Sequence, residues 1–246
     1  MVVQALRSLE RLLLPNSCVS CGRLVGRASP DALVCALCRL RLRAVPAGCE
    51  RCSQPLPPVG PCRFCSGWPE VLTCVRSAVW LGEEARELVH HLKYEGYTKL
   101  ARLMAEHVAP AFAASSSALL VPVPLSRKRL RHRGYNQAEA IARELGRIWA
   151  VSCDAGMLIR TRDTKTQTTL TPEERYANVA GAFFASPAQG QATSIILVDD
   201  VLTTGSTLAA AAAALGDAGW SSVGAVTFAR ALPFEVRVVQ GGRFST

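Results

Sequence analysis

The chain has 246 residues, with 28 Lys and Arg against 19 Asp and Glu and a formal charge of +9. Its 49% hydrophobic content supplies a sizeable core, which excludes a disordered or fibrous protein and fits one large domain plus a small one. A basic balance favours anionic partners, but two Zn²⁺ on eight thiolates would change the total by −4 and leave about +5, too modest an excess to argue for DNA binding by itself. In chain order, the first segment, MVVQALRSLERLLLP, sets Val3, Leu6, Leu9 and Leu13 at helical spacing and predicts a short amphipathic helix. Arg7, Glu10 and Arg11 interrupt its apolar pattern and no small-residue cleavage site follows, so it does not read as a secretory signal. No stretch is long and apolar enough to span a membrane. The expected location is cytoplasmic, with thiols kept reduced.

Next comes a cysteine-rich head. Four C-x-x-C pairs follow one another: Cys18/Cys21 and Cys35/Cys38, separated by 13 residues, then Cys49/Cys52 and Cys62/Cys65, separated by 9. Each knuckle sets two thiolates on one side of a tight turn, and two knuckles complete a tetrahedron around Zn²⁺. Gly22 and Gly48 lend turn freedom nearby. Disulfides would suit a secreted domain, and a redox C-x-x-C would stand alone at a strand-to-helix turn. Neither fits four regular pairs, which predict two structural zinc ions. Pairing of neighbours is favoured, and interleaved pairing is also compatible with the spacing. A segment this poor in large apolar groups cannot build a core unaided, so metal binding is its folding energy. Cys74 and Cys153 have no partner at metal spacing and read as buried small residues. Trp68-Pro69 closes the head, dividing the chain into 1–70 and 71–246.

The body alternates strands and helices. Val75 to Leu81 reads as a strand. A helix from Glu83 follows, with Ala85, Leu88, Val89 and Leu92 as its apolar stripe and acids in its first turn. His90 and His91 point about 100° apart on a helix and make a joint metal site unfavourable. Lys93 reads equally as a surface lysine or as a group reaching a ligand from the helix end. A second helix spans Leu100 to Val108. Leu119 to Pro124 is a short strand whose prolines keep it from being a central strand with all ladder bonds intact. SRKRLRHRGYNQA then reads as a rigid basic loop. Its Arg127, Lys128, Arg129, Arg131 and Arg133 lie at the carboxyl edge where open α/β sheets bind ligands. Tyr135, Asn136 and Gln137 lead into a helix from Ala138 to Trp149. Met157 to Arg160 is a strand, and a long polar loop follows. Thr171 reads as a helix cap, with Pro172 first and Glu174 third. Ala182 to Ala185 and Val223 to Ala229 are strands.

The most informative string is IILVDDVLTTGSTL, Ile195 to Leu208. An apolar strand ends in two carboxylates, then a hydroxyl-rich loop around Gly205, then an alanine-rich helix. That order makes a phosphate site at a helix N-terminus. Thr203, Thr204, Ser206, Thr207 and nearby N–H groups can donate to phosphate oxygens. Asp199 and Asp200 can accept from sugar hydroxyls or hold a hydrated Mg²⁺. Two adjacent acids also repel and need a compensating partner. The string is neither a Walker loop nor a dinucleotide fingerprint.

The same string resembles the signature of type I phosphoribosyltransferases, which bind phosphoribosyl pyrophosphate (PRPP). With the four knuckles, RHRGYNQA, LVHHLKYEG and RTRDTKTQTTLTPEERYANVAGAF, the whole chain resembles the ComF family of double-zinc-ribbon, phosphoribosyltransferase-like proteins. The resemblance implies a parallel sheet flanked by helices behind a small N-terminal double zinc ribbon. It implies that Asp199 and Asp200 hold ribose hydroxyls and metal and that Thr203, Thr204, Gly205, Ser206 and Thr207 hold the 5′-phosphate. It matches VPVPLSRKRLRHRG to the pyrophosphate loop, with Arg131 and Arg133 as candidates. It matches Thr164 to Arg175 to the loop that closes over substrate, with Lys165, Gln167 and Arg175 as candidates. Members are associated with DNA uptake during natural transformation.

Three functions follow as expectations. The first is an enzyme that binds PRPP and Mg²⁺ and transfers phosphoribosyl to an unidentified nitrogen acceptor, serving DNA uptake or nucleotide metabolism. The second is a single-stranded DNA-binding competence factor with a non-catalytic PRPP-type site. The third is a regulator that binds PRPP or a nucleotide without catalysis. Scarce aromatic residues around the arginine run argue mildly against a dedicated single-strand platform.

Overall fold

The computed structural model describes residues 17–25, 33–55, 60–162, 179, 181–187 and 194–231. Its centre is a five-stranded parallel sheet of β1 (Leu72–Trp80), β2 (Ala118–Pro122), β3 (Ser152–Cys153), β6 (Ser194–Leu202) and β7 (Val223–Arg230), in the order β1-β7-β6-β2-β3. β7 is buried at every residue, as a parallel strand covered on both faces must be. A separate antiparallel pair joins β4 (Leu158–Arg160) to β5 (Phe183–Ala185).

Strand alternation divides the core in two. Ile196, Val198 and Leu120 pack with helices α2 (Glu83–Tyr94), α3 (Leu100–Val108) and α5 (Gln137–Trp149). Ile195, Leu197 and Val121 pack with α6 (Ser206–Asp217) and the β4–β5 pair. The alanines of α6 let that helix lie close to the sheet.

The head covers the free edge of β1. Val45 N donates to Ala78 O at 3.0 Å, Trp80 N to Arg43 O at 2.8 Å and Val75 N to Arg51 O at 2.7 Å. A parallel edge that would otherwise template foreign pairing is therefore capped by the chain itself. The head also contributes α1 (Ala36–Leu40).

Several expectations shift. The arginine run is a helix, α4 (Arg127–Arg133), and not a loop. Ser126 Oγ caps it by accepting from Arg129 N, and Gly134 ends it at φ +83°. The density of charge hides the helix in the sequence, while Ser126 and Gly134 mark its ends. β6 does not stop before the acidic pair but runs through it, because Asp199 is in register with Thr227 and Val201 with Ala229. β2 has a strand on each side, but β3 pairs only with Leu119 and Leu120. Pro122 lies beyond β3, so its missing N–H breaks no ladder there. The expected strand at 157–160 lies outside the main sheet. The N-terminal helix, the Thr171 helix start and the tail from Pro233 lie outside the described residues.

Candidate functional site

The head contains two four-thiol clusters. Cys18, Cys21, Cys35 and Cys38 form one, and Cys49, Cys52, Cys62 and Cys65 the other, with the sulfurs of each within 4.8 Å of one another. Neighbouring knuckles are therefore the ones that pair. A tetrahedron with Zn–S near 2.3 Å has sulfurs about 3.8 Å apart, and Cys21–Cys35 are at 3.8 Å, Cys49–Cys65 at 3.7 Å and Cys52–Cys62 at 3.6 Å. The donor sets fit Zn²⁺ with no position left for substrate. Burial opposes thiolate formation at Cys18, but hydrogen bonds from the Cys35, Cys21 and Ser20 backbone carry it down to about 7. Gly48 is needed at its turn because a Cβ would sit 2.9 Å from the Gln54 carbonyl carbon.

The acidic pair lies near the carboxyl end of β6. Asp200 is buried, and Asp199 keeps partial solvent access. Asp199 Oδ1 accepts from Asp200 N at 2.8 Å. Across the sheet, Asp199 is in register with Thr227, whose hydroxyl lies 2.7 Å from Ser77 Oγ. The compensating partner is Lys93, whose Nζ forms an ion pair with Asp200 Oδ2. Burial alone would raise Asp200, but the Lys93 charge and hydrogen bond outweigh it and hold this carboxyl below its ordinary range. Burial works against the Lys93 charge too, yet Asp200 keeps the ammonium above its usual value. Asp199 goes the other way: burial, then the Asp200 charge beside it, push it well above 3.8. One acid is thus already neutralised, and the other is suited to a cation or hydroxyl donors. That fits Mg²⁺, which takes one or two carboxylates and completes its shell with water and phosphate.

The hydroxyl loop follows directly. Thr203 is exposed, Thr204 and Thr207 are half-buried, and Gly205 and Ser206 are buried. Thr204 Oγ1 donates to Ser206 Oγ at 3.0 Å. Gly205 is the N-cap of α6 with φ +79°, a left-handed conformation that a side chain disfavours. It supplies no capping side chain; Thr204 Oγ1 accepts from Ser206 N at 3.4 Å, and the positive end of the α6 dipole faces the loop.

The RGYNQ segment fastens this edge. Asn136 caps α5 by accepting from Ala138 N at 3.0 Å and donates to Val123 O at 3.0 Å. Tyr135 donates to Leu92 O, which fixes the backbone next to Lys93. Arg133 donates to Gln137 Oε1, lies 5.2 Å from the Tyr94 ring centre and adds its charge to the field on Asp200. Arg131 is exposed on α4. The structure thus brings Asp199, Asp200, Thr203 to Thr207 and Arg133 to one edge, with Arg131 farther out on the solvent face. Lys165, Gln167 and Arg175 lie outside the described residues. Two contributors are weakly signalled in the sequence. Lys93 looks like any helix-end lysine, and Trp68, buried against Gly205, looks like a junction residue.

A phosphoribosyl transferase domain model matches residues 130–234. The chain is 32% identical over 200 residues to the DNA utilization protein YhgH of Escherichia coli, covering 78% of this chain and 80% of that protein. It is 29% identical over 200 residues to competence protein ComFC of Bacillus subtilis, covering 77% and 80%. To competence protein F of Haemophilus influenzae it is 36% identical over 91 residues, 36% of this chain and 40% of that one. Among the described residues, no helix is long and apolar enough to cross a membrane.

Proposed function

The chain belongs to the ComF family of zinc-ribbon proteins with a phosphoribosyl transferase domain, and from that premise we propose that it binds PRPP with Mg²⁺ at the carboxyl edge of its main sheet. The observation that carries this reading is an acidic pair, with Asp200 neutralised by Lys93, leading directly into the N-terminus of α6, where the cap residue is a glycine. Thr203, Thr204, Gly205, Ser206 and Thr207 hold the 5′-phosphate through hydroxyls, backbone N–H groups and the helix dipole. Asp199 and Asp200 accept from the ribose hydroxyls, and Asp199 is the acid that would hold Mg²⁺. The metal, when bound, neutralises charge on the pyrophosphate. Arg133 stabilises the pyrophosphate from α4, Arg131 adds only screened charge from the solvent face, and Lys165, Gln167 and Arg175 close over it.

The reaction proposed is transfer of phosphoribosyl to a nitrogen acceptor. A C1–N bond forms, the C1–O bond to pyrophosphate breaks, and the electron pair leaves with the pyrophosphate. The sugar carbon carries cationic character in the transition state, so orientation and leaving-group stabilisation suffice without a protein nucleophile. The names of the relatives support a role in DNA uptake or utilisation, and the eight thiols support a reducing, cytoplasmic setting. In calorimetry with Mg²⁺, the native chain is expected to bind PRPP, and Asp199→Asn with Asp200→Asn to lose binding while staying folded. Undiminished affinity in that double variant would defeat the reading, and pyrophosphate release on adding amines or bases separates an enzyme from a regulator.

A second reading has one observation in its favour. Arg127, Lys128, Arg131 and His132 are exposed along α4, a basic surface of the kind that tracks single-stranded DNA phosphates. Its affinity would fall steeply with salt and would survive the double Asp substitution.

A further inference from the structure

We propose that Trp68 is a positioning residue for the Thr203–Thr207 loop, tying the order of that loop to metal in the second thiol cluster and not the first. The inference rests on the PRPP reading for its ligand, but its structural half stands independently. A Cβ on Gly205 would lie 2.8 Å from Trp68 Cε2 and 3.0 Å from its Nε1. The indole therefore fills the space a side chain would take, and the loop backbone rests on it. Trp68 is only 4% exposed, so this contact is made inside the core.

The second cluster holds this indole. Arg51, between the ligands Cys49 and Cys52, donates to Trp68 O at 3.2 Å, Pro69 O at 2.7 Å, Cys65 O at 3.1 Å and Leu72 O at 3.1 Å. Trp68 N donates to Cys65 O at 3.2 Å. Phe64, one residue before the last ligand, meets Trp68 edge-on at 5.6 Å and lies 4.4 Å from the Arg230 guanidinium. Arg230, fully buried at the end of β7, donates to the carbonyl of the ligand Cys52 at 2.5 Å. Cys52, Cys65 and Trp68 share one core with Leu202 and Leu208, the apolar residues flanking the loop. Cys18 and Cys38 of the first cluster instead pack in the core of α2 and α3. Metal supplies the folding energy of so small a module, so losing it from the second cluster frees Arg51 and Phe64, then Trp68, then the loop.

The test uses the zinc-loaded full chain, with zinc content measured for each variant. Hydrogen exchange at 203–208 is compared with affinity for PRPP and for pyrophosphate, both with Mg²⁺. Trp68→Ala is expected to speed exchange at 203–208 and weaken PRPP on the order of tenfold, as for a slightly misplaced binding group. Its pyrophosphate affinity should match the native chain, and Trp68→Phe should restore most of the loss. Cys62→Ser should behave like Trp68→Ala, whereas Cys35→Ser should leave exchange at 203–208 as in the native chain. Native exchange and PRPP affinity in Trp68→Ala, or equal loop effects of the two Cys variants, would overturn the inference. If the Cys variants do not fold, the Trp68 pair decides it. If the native chain binds no PRPP, the functional reading fails, and exchange at 203–208 alone decides this one.

Discussion

Asp199 and Asp200 are chemically identical and adjacent, yet their surroundings drive them apart. Lys93 holds Asp200 ionised, and burial with the neighbouring charge keeps Asp199 protonated beyond its ordinary range. The stability consequences have opposite signs. Asp200 contributes stability above the ordinary carboxylate value, which is lost as pH falls through its lower folded value. Asp199 contributes stability below 3.8, which is lost as pH rises through its raised folded value. Carboxyl NMR of the ligand-free protein should therefore show Asp199 titrating high and Asp200 low. Mg²⁺ with PRPP should bring Asp199 down, and Lys93→Met should move Asp200 up. Both carboxyls titrating near the usual value of about 4 would contradict this account. The sequence shows that two adjacent acids need a partner, but it cannot name Lys93. That residue is over a hundred positions away, and the fold alone brings it there.

At the scale of elements, legibility followed local chemistry. The Leu100–Val108 helix ends where its apolar stripe does, and Asn136 marks the start of α5 as a cap. The two-residue β3 carries too little pattern to be read. The continuation of β6 through the acidic pair is set by its neighbour β7, not by its own residues. A basic loop would leave its arginines without fixed directions, whereas the α4 helix assigns them to different faces. Arg133 turns toward Tyr94 and Gln137, and Arg131 stays in solvent. Arg133→Ala should accordingly weaken PRPP binding on the order of tenfold, the cost of one lost charge-assisted contact. Arg131→Ala should change it by about twofold or less, in keeping with a screened surface charge. Calorimetry at fixed ionic strength compares them, and equal losses would mean that α4 presents both side chains to the ligand.

At the scale of the molecule, the head is more than an appendage. Residues 43–51 seal the edge of β1, the first cluster joins the core on one face of the sheet, and the second joins the core on the other. The division at residue 70 is therefore, in our proposal, a boundary of composition across which the two parts fold together. The sequence displayed the knuckles, but spacing left their pairing open, and only the fold brings neighbours together and sets Trp68 beneath the loop. A crystal structure grown with PRPP and Mg²⁺ decides whether the sheet edge grips a sugar-phosphate. The 5′-phosphate is expected among the hydroxyls and N–H groups of Thr203 to Thr207, with ribose hydroxyls against Asp199 and Asp200. PRPP lying elsewhere, or absent from a saturated crystal with the acidic pair untouched, would contradict it.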